Sequence, residues 1–273
     1  MKKWLKPTLF LIGFLLCVFP LISNVMEQRR QNDAVATYKK AVEGTKKDDL
    51  TEIWNQAQEY NKLLYQSQGA VVDDVDLLSD EEYNCQLNAS ETGVMGSLDI
   101  PKINVNLPIY HGTDEEALSN GVGHIQGTSL PVGGENTHAV LSGHRGLPSS
   151  KLLVRLDEME EGDYFFIRTC NQTLAYKVIK IEVVEPNEVE ILQIQSEEDL
   201  VSLVTCTPYG INTHRLIVTG TRVEYEETEY ETIRESVPSV RELLLTALPF
   251  AFLGVILFIT IYDRRERYDD GKI

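Results

Sequence analysis

Leu200 to Thr219 reads LVSLVTCTPYGINTHRLIVT, and its two apolar runs, parted by turn residues, decide how the chain folds around one cysteine. Leu200 to Thr205 is a short β-branched strand pattern and Arg215 to Val223 is another, with Pro208, Gly210 and Asn212 between them. The spacing predicts a hairpin with a loop of about eight residues. Cys206 then leaves the first strand beside Arg215 entering the second, so a thiol faces a permanent cation. Such a neighbour favours the thiolate, the nucleophilic form. The same spacing also accommodates an inert, buried Cys206 and a solvated edge Arg215.

Upstream, Thr137 to Ser142 is a third strand pattern, ending in Gly143-His144-Arg145-Gly146, where glycines leave room for an imidazole at a strand end. Histidine, cysteine and arginine supply acid/base, nucleophile and oxyanion stabiliser for acyl transfer. Spacing alone does not select His144 over His111, His124, His138 or His214.

The segments LSGHRGLPSSKLL (141–153), LVTCTPYGINTHRL (203–216) and GVMGSLDIPKINVNLPIYHGT (93–113) resemble sortases, most of all the class C, pilus-assembling type. The resemblance runs nearly continuously from Gly93 to Val223. It implies a closed, eight-stranded, mainly β barrel with short helical insertions, for which Glu115 to Leu118 and Ser150 to Leu156 are candidates. It also implies that Cys206 attacks the Thr-Gly carbonyl of an LPXTG-like sorting signal to form a thioester. By the same resemblance, His144 is expected to serve as general acid to the leaving amine and general base to an incoming pilin lysine, and Arg215 to stabilise the oxyanion. A free thiol, with a pKa of about 8.5, is only slightly ionised at neutral pH, so the nucleophile needs such neighbours. His124 in Gly121-Val122-Gly123-His124, Thr205 and Tyr209 are candidates for substrate contact. The strand before the cysteine reads Ser202-Leu203-Val204-Thr205-Cys206, where the family usually carries Thr-Leu-x-Thr-Cys. The Asp-Pro-aromatic lid usual in class C is missing: Asp73, Asp74, Asp76 and Leu77 stand in its place, without the proline or the aromatic. No cofactor or metal is implied, since no Cys/His spacing suits zinc and no EF-hand-type loop is present.

The pattern of strands supports the barrel from the residues themselves. Gly96 to Ile100, Val105 to Tyr110, Tyr164 to Arg168 and Leu174 to Val184 alternate with turn chemistry. Before the barrel (93–224), residues 27–68 carry Ile53, Trp54, Ala57, Tyr60, Leu63 and Leu64 at helical spacing, and predict one or two amphipathic helices. Residues 69–92 show no period and are expected to be a lid-like loop. Residues 225–242 predict a charged connector.

The chain has 273 residues and a formal charge of −17, which argues against nucleic acid as a partner. Residues 7–26, with the uncharged run Thr8 to Ile22 after Lys2, Lys3 and Lys6, predict a retained signal anchor rather than a cleaved peptide. Residues 243–262 form a second uncharged run, long enough to span a bilayer core of about 30 Å as a helix and followed by Arg264, Arg265 and Arg267. Two spans place both termini (1–6 and 263–273) in the cytoplasm and the catalytic domain outside. The expected partners are the membrane and, as the resemblance implies, LPXTG-bearing pilin or surface proteins and a lysine amine of a pilin subunit. A cell-wall precursor is the alternative acceptor, and a non-catalytic binder of sorting signals is the remote one. Of four cysteines, Cys17 lies in the first run and Cys206 must stay reduced, so only Cys85 and Cys170 could pair.

Overall fold

A computed structural model of the chain describes residues 2–67, 80–90, 92–145, 152–233 and 240–270. It separates into two units, Met1–Met26 with Val237–Ile273, and Glu27–Ser236.

The second unit is a closed barrel of eight strands: β1 (Val94–Ile100), β2 (Val105–His111), β3 (Val122–His124), β4 (Thr137–Ser142), β5 (Tyr164–Thr169), β6 (Gln172–Val184), β7 (Asp199–Thr207) and β8 (His214–Val223). Around the barrel the order is β1-β2-β3-β4-β7-β8-β6-β5. The β2–β3 and β4–β7 pairs are parallel and the others antiparallel. Closure leaves no unpaired sheet edge. Period-two alternation sends Leu98, Ile109, Leu141, Phe165, Ile167, Tyr176, Leu203 and Val218 into one interior cluster. The strands expected from sequence are all present. Only β3 was not anticipated, because its 3 residues are too few to display a period.

The helical layer matches its apolar spacing. Helix α1 runs unbroken from Lys2 to Gly44, and α2 covers Lys47–Ser67. Leu50, Ala57, Tyr60, Asn61 and Leu64 of α2 are buried, one stripe of an amphipathic helix. Asn61 donates to Leu130 O at 3.0 Å and accepts from Leu130 N at 2.6 Å, so its buried amide is paired on both sides. Within the same unit, Tyr38 of α1 donates to Met95 O at 3.0 Å and accepts from Cys170 N at 3.1 Å, fixing the helix on β1 and the β5–β6 turn.

Two expectations are corrected here. Residues 69–92 are not simply a loop: Asp80–Cys85 forms a short helix, α3, whose Tyr83 is buried in the barrel core. Of the Ser150 to Leu156 insertion, residues 150 and 151 lie outside the described residues. The remainder is turn, leading into a 3-10 turn at Leu156–Glu158 instead of an α-helix. The Glu115 to Leu118 insertion is α4 (Glu115–Asn120), capped by Asp114, whose carboxylate accepts from Ala117 N at 2.7 Å. The connector carries one short helix, α5 (Glu227–Thr232).

In the first unit, the start of α1 is the one helix among the described residues long and apolar enough to cross a membrane. Helix α6 (Val240–Asp270) carries a shorter apolar stretch, Thr246–Tyr262, and its Phe252 meets Phe10 edge-to-face at 6.2 Å. All four cysteines are free thiols.

Candidate active site

The antiparallel β7–β8 register sets Cys206 directly opposite Arg215, so both side chains emerge on one face. Which face follows from their neighbours two residues back. Val204 and Ile217 are also cross-strand partners, and they cluster with Val140 of β4 and with Ile125, Val184, Ile191 and Leu192, apart from the interior core. Leu203 and Val218 point inward. Cys206 and Arg215 therefore lie on the outer wall of the barrel, at the end of an apolar patch.

His144 reaches the same face by parallel pairing. Ser142 is level with Val204, and Gly143 N continues the ladder to Val204 O at 3.0 Å, so His144 comes level with Cys206. A Cβ at Gly143 would stand 2.9 Å from Leu153 Cδ1 and 3.1 Å from Val122 Cγ1, which is why glycine precedes the histidine. Both Cys206 and His144 are half-buried, reachable yet shielded.

The other histidines are placed elsewhere. His138 is fully buried, between the Gln193 carbonyl (2.9 Å) and the Ser202 hydroxyl (2.8 Å). His111 faces the carbonyls of Gln86 and Gly93. His214 pairs with Thr207, one residue out of phase with Cys206. Of these histidines, His144 is the one that the β4–β7 register brings level with Cys206.

Two substrate-contact candidates are corrected. His124 is fully buried, so it lies out of reach of a bound peptide. Its Nε2 meets the Ser129 carbonyl at 2.8 Å, an acceptor, so that nitrogen carries the proton. Nδ1 then accepts from the Tyr83 hydroxyl at 2.9 Å, and Tyr83 in turn accepts from Gly112 N at 2.9 Å. Burial pushes the His124 pKa down to about 4. Thr205 is also buried and donates to Gly143 O at 2.7 Å, serving the strand pair instead of the substrate. Tyr209 is 40% exposed on the β7–β8 loop. The lid candidates Asp73, Asp74, Asp76 and Leu77 lie outside the described residues.

The neutral His124 carries a testable consequence. Unfolded histidine titrates near 6.5, above the folded value, so the unfolded state takes up the proton first as pH falls. Stability is full above about pH 6.5 and is lost toward pH 4, by on the order of 3 kcal/mol for this group. His111 and His138, whose pKa values burial also lowers, act in the same direction. The thermal midpoint of the detergent-solubilised chain should fall more steeply between pH 6.5 and 4 in the wild type than in His124→Gln. Equal slopes would remove His124 from the explanation.

Arg215 is half-buried, and its Nη1 donates to the carbonyls of His214 (3.1 Å) and Asn212 (3.4 Å). Among the described residues its Nε and Nη2 make no hydrogen bond, so donors are left for an anion. Sequence reasoning missed Arg145. Its guanidinium is buried, donates to Thr207 Oγ1 at 2.9 Å and to Val154 O at 3.3 Å, and pairs with Asp157. The only signal in the sequence is a charge beside His144, and it does not tell whether the side chain turns in or out. Among the described residues no cluster of ligating side chains suited to a metal is present.

A family model described as the Sortase domain matches residues 98–223. Sortase D of Bacillus subtilis is 37% identical over 137 residues, 49% of this chain and 66% of that protein, so the match spans just under two thirds of that relative. A solved sortase C1 from Streptococcus agalactiae is 44% identical, with a TM-score of 0.66, over 71% of this chain and all of that one. A sortase C from Clostridium perfringens, solved with the C-terminal cell wall sorting motif, is 39% identical with a TM-score of 0.62, over 71% of this chain and 99% of that one. The matched family model and the close likeness of the barrel to solved class C sortases make this chain a member of the sortase family, of class C.

Proposed function

We propose that the chain is a membrane-bound cysteine transpeptidase that joins pilin subunits. The observation that carries this reading is the cross-strand Cys206–Arg215 pair with His144 level beside it. Cys206 Sγ attacks the threonine carbonyl of an LPXTG-like signal, and the Arg215 guanidinium takes the negative charge of the tetrahedral oxygen. His144 protonates the departing glycine amine, leaving a thioester on Cys206. A lysine Nζ of the next pilin then gives a proton to His144 and attacks the thioester, so the isopeptide bond forms as the thiolate leaves. The partly buried Ile125, Val184, Ile191 and Leu192, packed over the outer cluster of Val140, Val204 and Ile217, would offer an apolar surface to the residues ahead of the scissile bond.

Both apolar helices are read as membrane spans, the start of α1 as a signal anchor and α6 as a second span with the arginines at 264, 265 and 267 on the cytoplasmic side. The barrel is then held outside the cell, where sorting signals emerge.

The full chain in detergent should cleave an LPXTG peptide between Thr and Gly. Given a pilin domain, it should yield a Thr-Lys isopeptide bond identifiable by mass spectrometry. Transfer only to a cell-wall cross-bridge amine would make the chain an anchoring sortase. Binding of the peptide without cleavage would leave it a non-catalytic receptor.

A further inference from the structure

His144 follows the end of β4 and Cys206 lies near the end of β7, and nothing in a two-strand ladder alone fixes the distance between two side chains at its fraying end. The structure shows how that end is held. On the side away from the site, Thr205 Oγ1 donates to Gly143 O at 2.7 Å, linking the residue before Cys206 to the residue before His144. Arg145 Nη1 donates to Thr207 Oγ1 at 2.9 Å, linking the residue after His144 to the residue after Cys206. The two catalytic positions are bracketed by the same pair of strands, above and below.

The second bracket is costly to build and therefore informative. The Arg145 side chain is only 4% exposed, and a buried guanidinium is tolerated only when its donors are met. Asp157, on the 3-10 turn Leu156–Glu158, provides the counter-charge, and the Val154 carbonyl takes Nε. Leu153 N also donates to His144 O at 3.2 Å, so the 152–158 segment supports the histidine through both backbone and guanidinium. A planar fork serves these three partners at once, which an ammonium cannot do in the same geometry.

We propose that Arg145, braced by Asp157, is a positioning residue that sets the spacing of His144 and Cys206 by clamping the strands that carry them. This rests on the transpeptidase reading for its meaning, and its test does not depend wholly on that reading. Loss of the clamp leaves the thiol and imidazole present but misplaced. A displacement of about 1 Å at reacting atoms can cost about a hundredfold in rate. Arg145→Met should therefore lower kcat for sorting-peptide cleavage by roughly ten- to a hundredfold with KM within about twofold. Thr207→Val, which removes one acceptor without touching a buried charge, should lower kcat about fivefold, the worth of one hydrogen bond. The double variant should be no slower than Arg145→Met alone, since both substitutions cut one link.

An independent readout is the rate at which iodoacetamide alkylates Cys206 at neutral pH in the detergent-solubilised full chain, followed on its own peptide by mass spectrometry. It should fall about tenfold in Arg145→Met and less in Thr207→Val, because a thiol is activated by a close imidazole. If Arg145→Met does not fold, Thr207→Val carries the test alone. A lowered thermal midpoint with kcat and alkylation at wild-type rates would reduce Arg145 to a structural ion pair and overturn the proposal, as would losses that multiply in the double variant. A wild type inactive on sorting peptides would sink the transpeptidase reading alone, and the alkylation rates would still decide the clamp.

Discussion

Cys206→Ala should abolish cleavage of a sorting peptide and formation of any acyl-enzyme, while leaving the barrel folded. The two expectations come from the same placement. Cys206 stands at the end of β7, on the outer wall and half-buried, so its thiol fills no interior cavity. Its removal should cost about 1 kcal/mol of stability or less, well below the usual large-to-small penalty in a core. Its chemistry has no substitute, because alanine offers no nucleophile and the other thiols are elsewhere: Cys170 is buried at the β5–β6 turn and Cys85 lies at the end of α3. Losing a covalent nucleophile typically costs on the order of 10⁴-fold or more in kcat. Intact-mass measurement of enzyme mixed with peptide should show a thioester adduct in the wild type and none in Cys206→Ala. An adduct mapped to Cys85 or Cys170 would move the nucleophile and dismantle the site.

His144 separates the two halves of the cycle in a way Cys206 cannot. In His144→Asn the thiol remains, so slow alkylation and slow acylation persist, yet the leaving amine and the incoming lysine have no proton partner. The acyl-enzyme that does form should then outlive that of the wild type.

The residues explain why some of this was legible and some was not. The β7–β8 hairpin announced itself because both strands are β-branched and the turn residues at 208, 210 and 212 sit between them, so the Cys206–Arg215 pairing followed from local chemistry. The parallel β4–β7 contact has no local signal. Some sixty residues separate His144 from Cys206, and only closure of the barrel brings them level, so the choice of His144 rested on resemblance. His124 and Thr205 show the converse failure. Their positions near the site were legible, while the direction of each side chain was not, because that depends on whether Tyr83 and Gly143 occupy the facing space. Tyr83 itself was hidden because the acidic stretch around it, Asp80 to Glu82, lacks the apolar period that marks a docked helix. Arg145 was hidden for an energetic reason: charge predicts a solvated side chain unless a partner is known, and Asp157 becomes its partner only in three dimensions.

Arg215→Lys should lower kcat by about a hundred- to a thousandfold with little change in KM, the usual cost of removing an oxyanion donor. The structure makes this sharper than a loss of charge. Nη1 of Arg215 is tied to the carbonyls of His214 and Asn212, which holds the guanidinium against the β7–β8 loop at the register position opposite Cys206. Lysine keeps the charge but has no second nitrogen with which to hold that anchor and bind an oxygen at the same time. The backbone pairing of β8 is untouched, so the thermal midpoint should stay close to that of the wild type. Because a tetrahedral oxyanion forms both when the thioester is made and when it is resolved, Arg215→Lys should slow both steps. The thioester should therefore not accumulate as it does in His144→Asn. A long-lived acyl-enzyme in Arg215→Lys would assign the arginine to the second step alone. Wild-type turnover in Arg215→Ala would make it an ordinary edge cation and leave the charge of the intermediate to backbone amides.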